Sequence, residues 1–269
     1  MNSQHGSSRR RPRRALRWLG VALAFWVGTA CAESYLILSL IGDRLTVIGA
    51  ERQVGSNFDR NSRQVVPLKD QSLDDYSVRV ADAAIRKIRP AASTTMLRAS
   101  DPTLYSLRDS WLDEDSVNAQ ALLSVVAKMA PPTADARLLL IAPRRDELDM
   151  RTDRSYIFTG SKIAGLGFYV DQVTDMRTLP QGETGGEAGR GFLGVFANFQ
   201  LLLINLETAE IDGYRKVATG TTFAASRAPD KVAWNAISGE KKLQVLQFLI
   251  KREIEGALPD MLSSVAAKP

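Results

Sequence analysis

"GFLGVFANFQLLLINL", residues 191–206, is the strongest β-strand signal in this chain. The run is rich in aromatic and aliphatic residues, which favour strands. The segment Glu207–Glu210 follows as a turn, and Ile211–Thr222 has the composition of a returning strand. We therefore predict an antiparallel hairpin in the second half of the chain.

The first half of the chain alternates predicted strands with predicted helices. Tyr35–Ile41 and Leu45–Ile48 are short apolar runs around a Gly-Asp pair, so we predict two strands joined in a hairpin. Residues 50–69 are polar and irregular, which predicts a long loop. Apolar residues every fourth position from Tyr76 to Ile88 predict a helix over 74–89.

The remaining patterns complete a predicted α/β fold. They indicate a strand at 94–98, a helix at 113–129, an interior strand at 137–142, a strand at 163–170 and a helix from about 240 to 257 that Pro259 ends. Helices before and after a block of strands along the chain imply a sheet with helices packed on it. We expect a single-domain α/β sandwich with a mixed sheet, parallel in the first half and antiparallel in the second.

The N-terminal segment has the features of a bacterial export signal. Residues 1–17 contain six arginines and no acid, residues 18–30 are mostly apolar, and Ala30-Cys31-Ala32 is a small-x-small cleavage motif. We predict an export signal over 1–32 and one domain over 33–269. The protein is then expected to be exported, to the periplasm or to a membrane face.

Three fates of this leader remain open. It can be cleaved after Ala32, lipidated at Cys31, or retained as an anchor, because Tyr35–Ile41 is apolar again after Glu33. Lipidation or retention would tether the protein to a membrane.

The net positive charge of the chain comes from the arginines of its leader. The whole sequence has 35 basic and 30 acidic residues, a net charge of +5. Without the six arginines of the leader, 29 basic residues stand against 30 acidic ones, and the net charge is −1. A nearly neutral chain without a basic stripe argues against nucleic-acid binding.

Histidine and cysteine occur only in the leader, as His5 and Cys31. The predicted mature chain therefore excludes disulfides, zinc sites of the usual Cys/His kind, and nucleophilic catalysis that depends on histidine. We predict no metal and no cofactor.

Two catalytic motifs occur without their partners. Gly189–Gly194 matches the dinucleotide-binding string G-x-G-x-x-G, but a strand is predicted after it where that site needs a helix. Ser238–Lys241 matches S-x-x-K without the companion motifs of the penicilloyl-serine enzymes. We interpret Ser238 as a helix N-cap.

A charged loop follows the predicted strand at 137–142. Ligands in open α/β sheets bind beyond the carboxyl ends of strands, so the loop Arg144–Arg154 is a candidate site. The candidate ligand-binding residues, including two from an upstream polar loop, are Asp59, Asn61, Arg144, Arg145, Asp146, Asp149 and Asp153. The alternative is a solvated loop whose charges pair with one another.

Two functions are compatible with these features. The first is a non-enzymatic envelope protein with a binding or assembly role, whose partner is another envelope protein or a small ligand. The second is a carboxylate-based hydrolase, with or without Mg²⁺ or Ca²⁺, using acids of the loop Arg144–Arg154. Convergence of these acids with Asp59 in one cleft would favour the hydrolase.

Overall fold

The computed structural model describes residues 33–50, 61–114, 116–131, 135–150, 162–178 and 187–266. The strands are β1 (Ser34–Ser39), β2 (Arg44–Gly49), β3 (Ser62–Pro67), β4 (Ser93–Met96), β5 (Ala136–Pro143), β6 (Arg145–Asp146), β7 (Ile163–Thr178), β8 (Glu187–Asn205) and β9 (Ile211–Ala224). The helices are α1 (Ser72–Ile88), α2 (Pro102–Glu114), α3 (Ala119–Met129) and α4 (Gly239–Ala266).

Strand β8 is a long strand that has partner strands along both of its edges. Strand β9 pairs antiparallel along one edge of it, which confirms the predicted hairpin. Strands β5 and β7 share the opposite edge, end to end, because Pro143 of β5 pairs with Phe199 and Gly165 of β7 pairs with Asn198. One group of strands therefore joins β8 through β5, and a second group joins it through β7, at successive positions along the same edge.

Strands β1 and β2 are also aligned end to end. Strand β1 lies parallel to β4 and β5, whereas β2 lies parallel to β7 and antiparallel to β3. The sheet is mixed, as predicted, but the predicted β1–β2 hairpin is wrong. A two-residue hairpin turn needs a positive φ, and neither Gly42 nor Asp43 has one.

Asp74 at the start of α1 holds the junction between β1 and β2. Its Oδ1 atom accepts hydrogen bonds from Ser39 Oγ at 2.6 Å, Ile41 N at 2.9 Å and Gly42 N at 3.0 Å. The backbone donors of Ile41 and Gly42 therefore bond to Asp74 of α1 instead of closing a hairpin turn, and the chain continues from β1 into β2 in the same direction.

Helices cover both faces of the sheet. Helices α1 and α4 pack on one face, here called the α1/α4 face, and α2 and α3 pack on the other. Side chains alternate between the two: Tyr35 and Ile37 of β1 join the α1/α4 core, and Leu36 and Leu38 join the opposite one. No helix in the described part of the chain has the length and apolar character that a membrane span requires.

Two glycines allow the segment Leu148–Met150 to lie against the sheet. A Cβ at Gly194 would collide with Met150, and one at Gly220 would approach Asp149 O to 2.6 Å. Gly167 is packed under the ring of Phe196. The glycines and aromatics of these strands thus serve core packing.

Three predicted elements differ from the structure. Residues 62–67 form edge strand β3, although a loop was predicted there. Its side chains are mostly exposed and polar, so the sequence lacks the apolar alternation of a half-buried strand. The predicted helix at 113–129 is α3 alone, since a separate helix, α2, ends at Glu114. Pro259 does not end α4, which continues to Ala266. Proline removes one backbone donor, and the rest of this long helix packs on the sheet and α1.

Both catalytic strings have structural roles. The glycine string lies inside β8, so no helix follows it. Ser238 Oγ accepts a hydrogen bond from Lys241 N at 3.2 Å, which confirms the predicted N-cap of α4.

Candidate functional site

The predicted site residues Arg144, Arg145 and Asp146 lie together just beyond β5. Arg144 Nη1 donates to the Tyr214 hydroxyl at 2.6 Å, and its Nε lies 3.8 Å from Asp146 Oδ2. Arg144 and Arg145 line a cavity of about 310 Å³ whose wall includes Trp111. The loop charges thus pair in part with each other, while the guanidinium groups border a cavity.

The other predicted residues do not join this cluster. The backbone of Asp149 lies over Gly220 of β9, whereas Asp146 pairs with Ile163 of β7. Asn61 precedes β3 at the other end of the β2–β7 pair, about 20 Å along the strands from Arg145. Asp59, Asp153 and the processing residues Ala30, Cys31 and Ala32 lie outside the described residues.

Among the residues with described positions, no group of three or more acids, histidines or cysteines could hold a metal ion. The convergence that would favour a hydrolase involves Asp59 and Asp153, which lie outside the described residues.

A buried polar cluster lies at the carboxyl end of β1. Burial raises the pKa of the Asp74 carboxyl to about 6, although hydrogen bonds from Ser39, Gly42 and Ile41 act in the opposite direction. The Tyr105 hydroxyl lies 3.4 Å from the second carboxylate oxygen. The carboxylate oxygens of Asp74 accept hydrogen bonds from backbone N–H groups and neighbouring hydroxyls. We therefore assign this cluster a structural role.

A second cavity, larger than the one beside Arg144, lies on the α1/α4 face and was not predicted. It has a volume of about 540 Å³ and runs between strands β2, β3 and β7 and the start of α4. We call it the apolar groove. Its apolar walls include Leu45, Val47, Val66, Phe168, Val170 and Leu246.

The groove exists because the sheet extends beyond its helices. Along β8 and β9 the α1/α4 face is covered by α4, and along β1 it is covered by α1. Over β2 and β3, the helical residues that line the groove come from the first turns of α4, and Val47 and Val66 are half-buried there. Apolar side chains that ordinarily pack under a helix therefore line an open groove.

Trp234 and Lys242 form the end wall of the groove. The Trp234 ring meets Phe168 edge to face at 5.4 Å between centroids. Lys242 Nζ lies 4.4 Å from the Trp234 centroid and donates to Ile237 O at 2.9 Å. Burial lowers the pKa of this ammonium group.

Comparison with known proteins adds no precedent for either cavity. No protein-family model matches the chain, and no curated protein matches it in sequence. We therefore infer function from the geometry of the groove.

Proposed function

We propose that this chain is a non-enzymatic binding protein of the bacterial envelope that holds a small apolar or amphipathic ligand in the apolar groove. The observation that carries this proposal is the groove itself, a cavity of about 540 Å³ with a mostly apolar lining. Ligand sites in proteins typically have volumes of roughly 300–1,000 Å³, with mostly apolar walls and few polar groups.

The alternation of side chains along β3 provides a sharp test. Val66 lines the groove, whereas its neighbour Val65 points to the opposite face and is 56% exposed. A Val66→Trp substitution would fill part of the groove, and Val65→Trp would place the same side chain outside it. The probe is N-phenyl-1-naphthylamine, a neutral dye that fluoresces in apolar surroundings.

The measurement uses the protein purified in the form that the host produces. We expect Val66→Trp to weaken dye binding at least about tenfold, a loss of about 1.4 kcal/mol or more, and Val65→Trp to leave binding unchanged. Equal dye affinity in the two variants, at equal thermal stability, would refute the groove as the binding site.

The envelope location rests on the leader alone. The basic segment, the apolar run and the motif Ala30-Cys31-Ala32 support export. The intact mass of the protein from an envelope fraction tests this: a chain starting at Glu33 supports cleavage, and one starting at Cys31 with added lipid supports a tether. Recovery of the uncut chain from the cytosol would contradict export.

The carboxylate-based hydrolase is the second candidate. Its support is the position of Arg144, Arg145 and Asp146 beside a cavity beyond the carboxyl end of β5. Substituting Asp146 by Asn would abolish such an activity, whereas a binding protein would retain its dye affinity. We favour the binding role because its groove is larger and more apolar.

A further inference from the structure

Lys242 is an unusual residue to find in the wall of an apolar groove. It is only 7% exposed, and its Nζ contacts a backbone carbonyl oxygen and the face of Trp234. No carboxylate of the described residues lies within ion-pair distance of it. Buried lysines are almost always paired with an acid, because burying an unpaired charge is unfavourable.

The position of Lys242 limits what its partner can be. Lysine has three N–H donors, of which the carbonyl of Ile237 takes one and the Trp234 ring faces the ammonium group. The nearest acid along the helix, Glu240, is exposed and accepts a hydrogen bond from Gln244. Lys242 is the one charged side chain among the described residues that line the groove.

Resting on the proposed function, we propose that the ligand of the apolar groove is a long-chain carboxylate, with its acyl chain over β2, β3 and β7 and its carboxylate on Lys242. The chain would bury the half-exposed valines of the sheet, and each buried methylene contributes about 0.8 kcal/mol. The carboxylate would supply the missing counter-charge through a charge-assisted hydrogen bond.

Three ligands with one chain and different head groups test the assignment. Dodecanoate, dodecan-1-ol and dodecylammonium compete with N-phenyl-1-naphthylamine for the protein. The two ions are used below their micelle concentrations, and the alcohol below its solubility limit. Lys242→Met keeps the length and apolar stem of the side chain but removes its charge. Lys241→Met is the matched control, because Lys241 is adjacent on α4 and exposed.

We expect dodecanoate to displace the dye at a concentration about tenfold or more below that of dodecan-1-ol, with dodecylammonium weakest. Lys242→Met should abolish this preference while still binding the dye, which shows that the variant is folded. Lys241→Met should retain the preference.

The remaining outcomes overturn the inference in distinguishable ways. Equal displacement by all three heads would reject the carboxylate and leave the groove as an apolar site. A preference for dodecanoate that survives in Lys242→Met would place the anion elsewhere. If no chain displaces the dye, or if Val66→Trp binds the dye as the unchanged chain does, the proposed function itself fails.

Discussion

Two buried charged residues hold the junction between β1 and β2. Asp74 is 3% exposed and binds the junction from α1. Arg108 of α2 is 1% exposed; it donates to Leu40 O at 3.1 Å and pairs with Asp43 and Asp109. Because both side chains act on the backbone where the strands change partners, the stability of the fold should depend on them.

The protonation of Asp74 should affect stability between about pH 4 and pH 6. Its pKa is raised from 3.8 to about 6 by burial, so the folded protein binds this proton more tightly than the unfolded chain. The contribution is fully present below pH 4 and is lost as the pH rises through 6, a difference of roughly 3 kcal/mol.

Asp74→Asn removes this titration and keeps an acceptor for Ser39, Ile41 and Gly42. We expect the variant to gain stability relative to the unchanged chain as the pH rises from 4 to 7, and to be at least as stable at pH 7. Urea unfolding across this range measures the difference. A constant difference would show that Asp74 has the same pKa in the folded and unfolded chain.

Arg108→Met should destabilise the protein by about 3 kcal/mol, because it leaves Leu40 O and Asp43 without their buried partner. Arg44→Met is the control: Arg44 also pairs with Asp109, but its side chain is about a third exposed, so its loss should change stability by about 1 kcal/mol or less. Urea unfolding of both variants distinguishes these values. Equal losses would contradict the structural role of Arg108.

At the scale of elements, close strand packing depends on Gly167. A Cβ there would collide with the backbone carbonyl of Thr46 in β2 and would lie 2.7 Å from Phe196 Cζ. A backbone atom in a paired strand cannot move aside as a flexible side chain can. The β2–β7 pairing, and with it the floor of the groove, therefore requires glycine at this position.

Gly167→Ala should destabilise the protein by more than about 3 kcal/mol or prevent its folding, since a backbone clash cannot relax locally. Gly256→Ala, in the middle of α4 with nothing within 4 Å of its added Cβ, should instead stabilise by about 1 kcal/mol. Thermal unfolding of both variants tests the contrast. A mild effect of Gly167→Ala would mean that β2 and β7 are less closely paired.

The sequence predicted elements better than it predicted their partners. Apolar spacing located α1, and runs of strand-forming residues located β5 and the β8–β9 hairpin, because these signals are local. The prediction of a β1–β2 hairpin was wrong because distant residues act on this turn: Asp74 binds the backbone of Gly42, and Arg108 pairs with the side chain of Asp43. The groove could not be predicted, because it depends on which strands α4 leaves uncovered. The burial of Lys242 could not be predicted from the sequence, since a lysine in an amphipathic helix is ordinarily solvated.

At the scale of the whole molecule, the sheet presents more apolar surface than its described helices cover. A ligand in the groove would complete the packing on the α1/α4 face in place of a helix. Binding to the folded chain alone stabilises it by mass action, by about 2.7 kcal/mol at a ligand concentration of one hundred times Kd.

Dodecanoate should therefore raise the thermal unfolding midpoint of the chain, and the rise should grow with concentration. The Val66→Trp variant should show a much smaller rise, and Val65→Trp the same rise as the unchanged chain. A fall in the midpoint would show that dodecanoate acts as a denaturing detergent instead of a ligand.

The most direct test of the groove is to locate the bound chain by NMR. With valine methyl groups labelled, intermolecular NOEs from dodecanoate should reach Val47, Val66 and Val170, which line the groove, and should be absent at Val65 on the opposite face. NOEs confined to other valines, or a bound chain with no contact to these three, would contradict the central claim that the groove is the binding site.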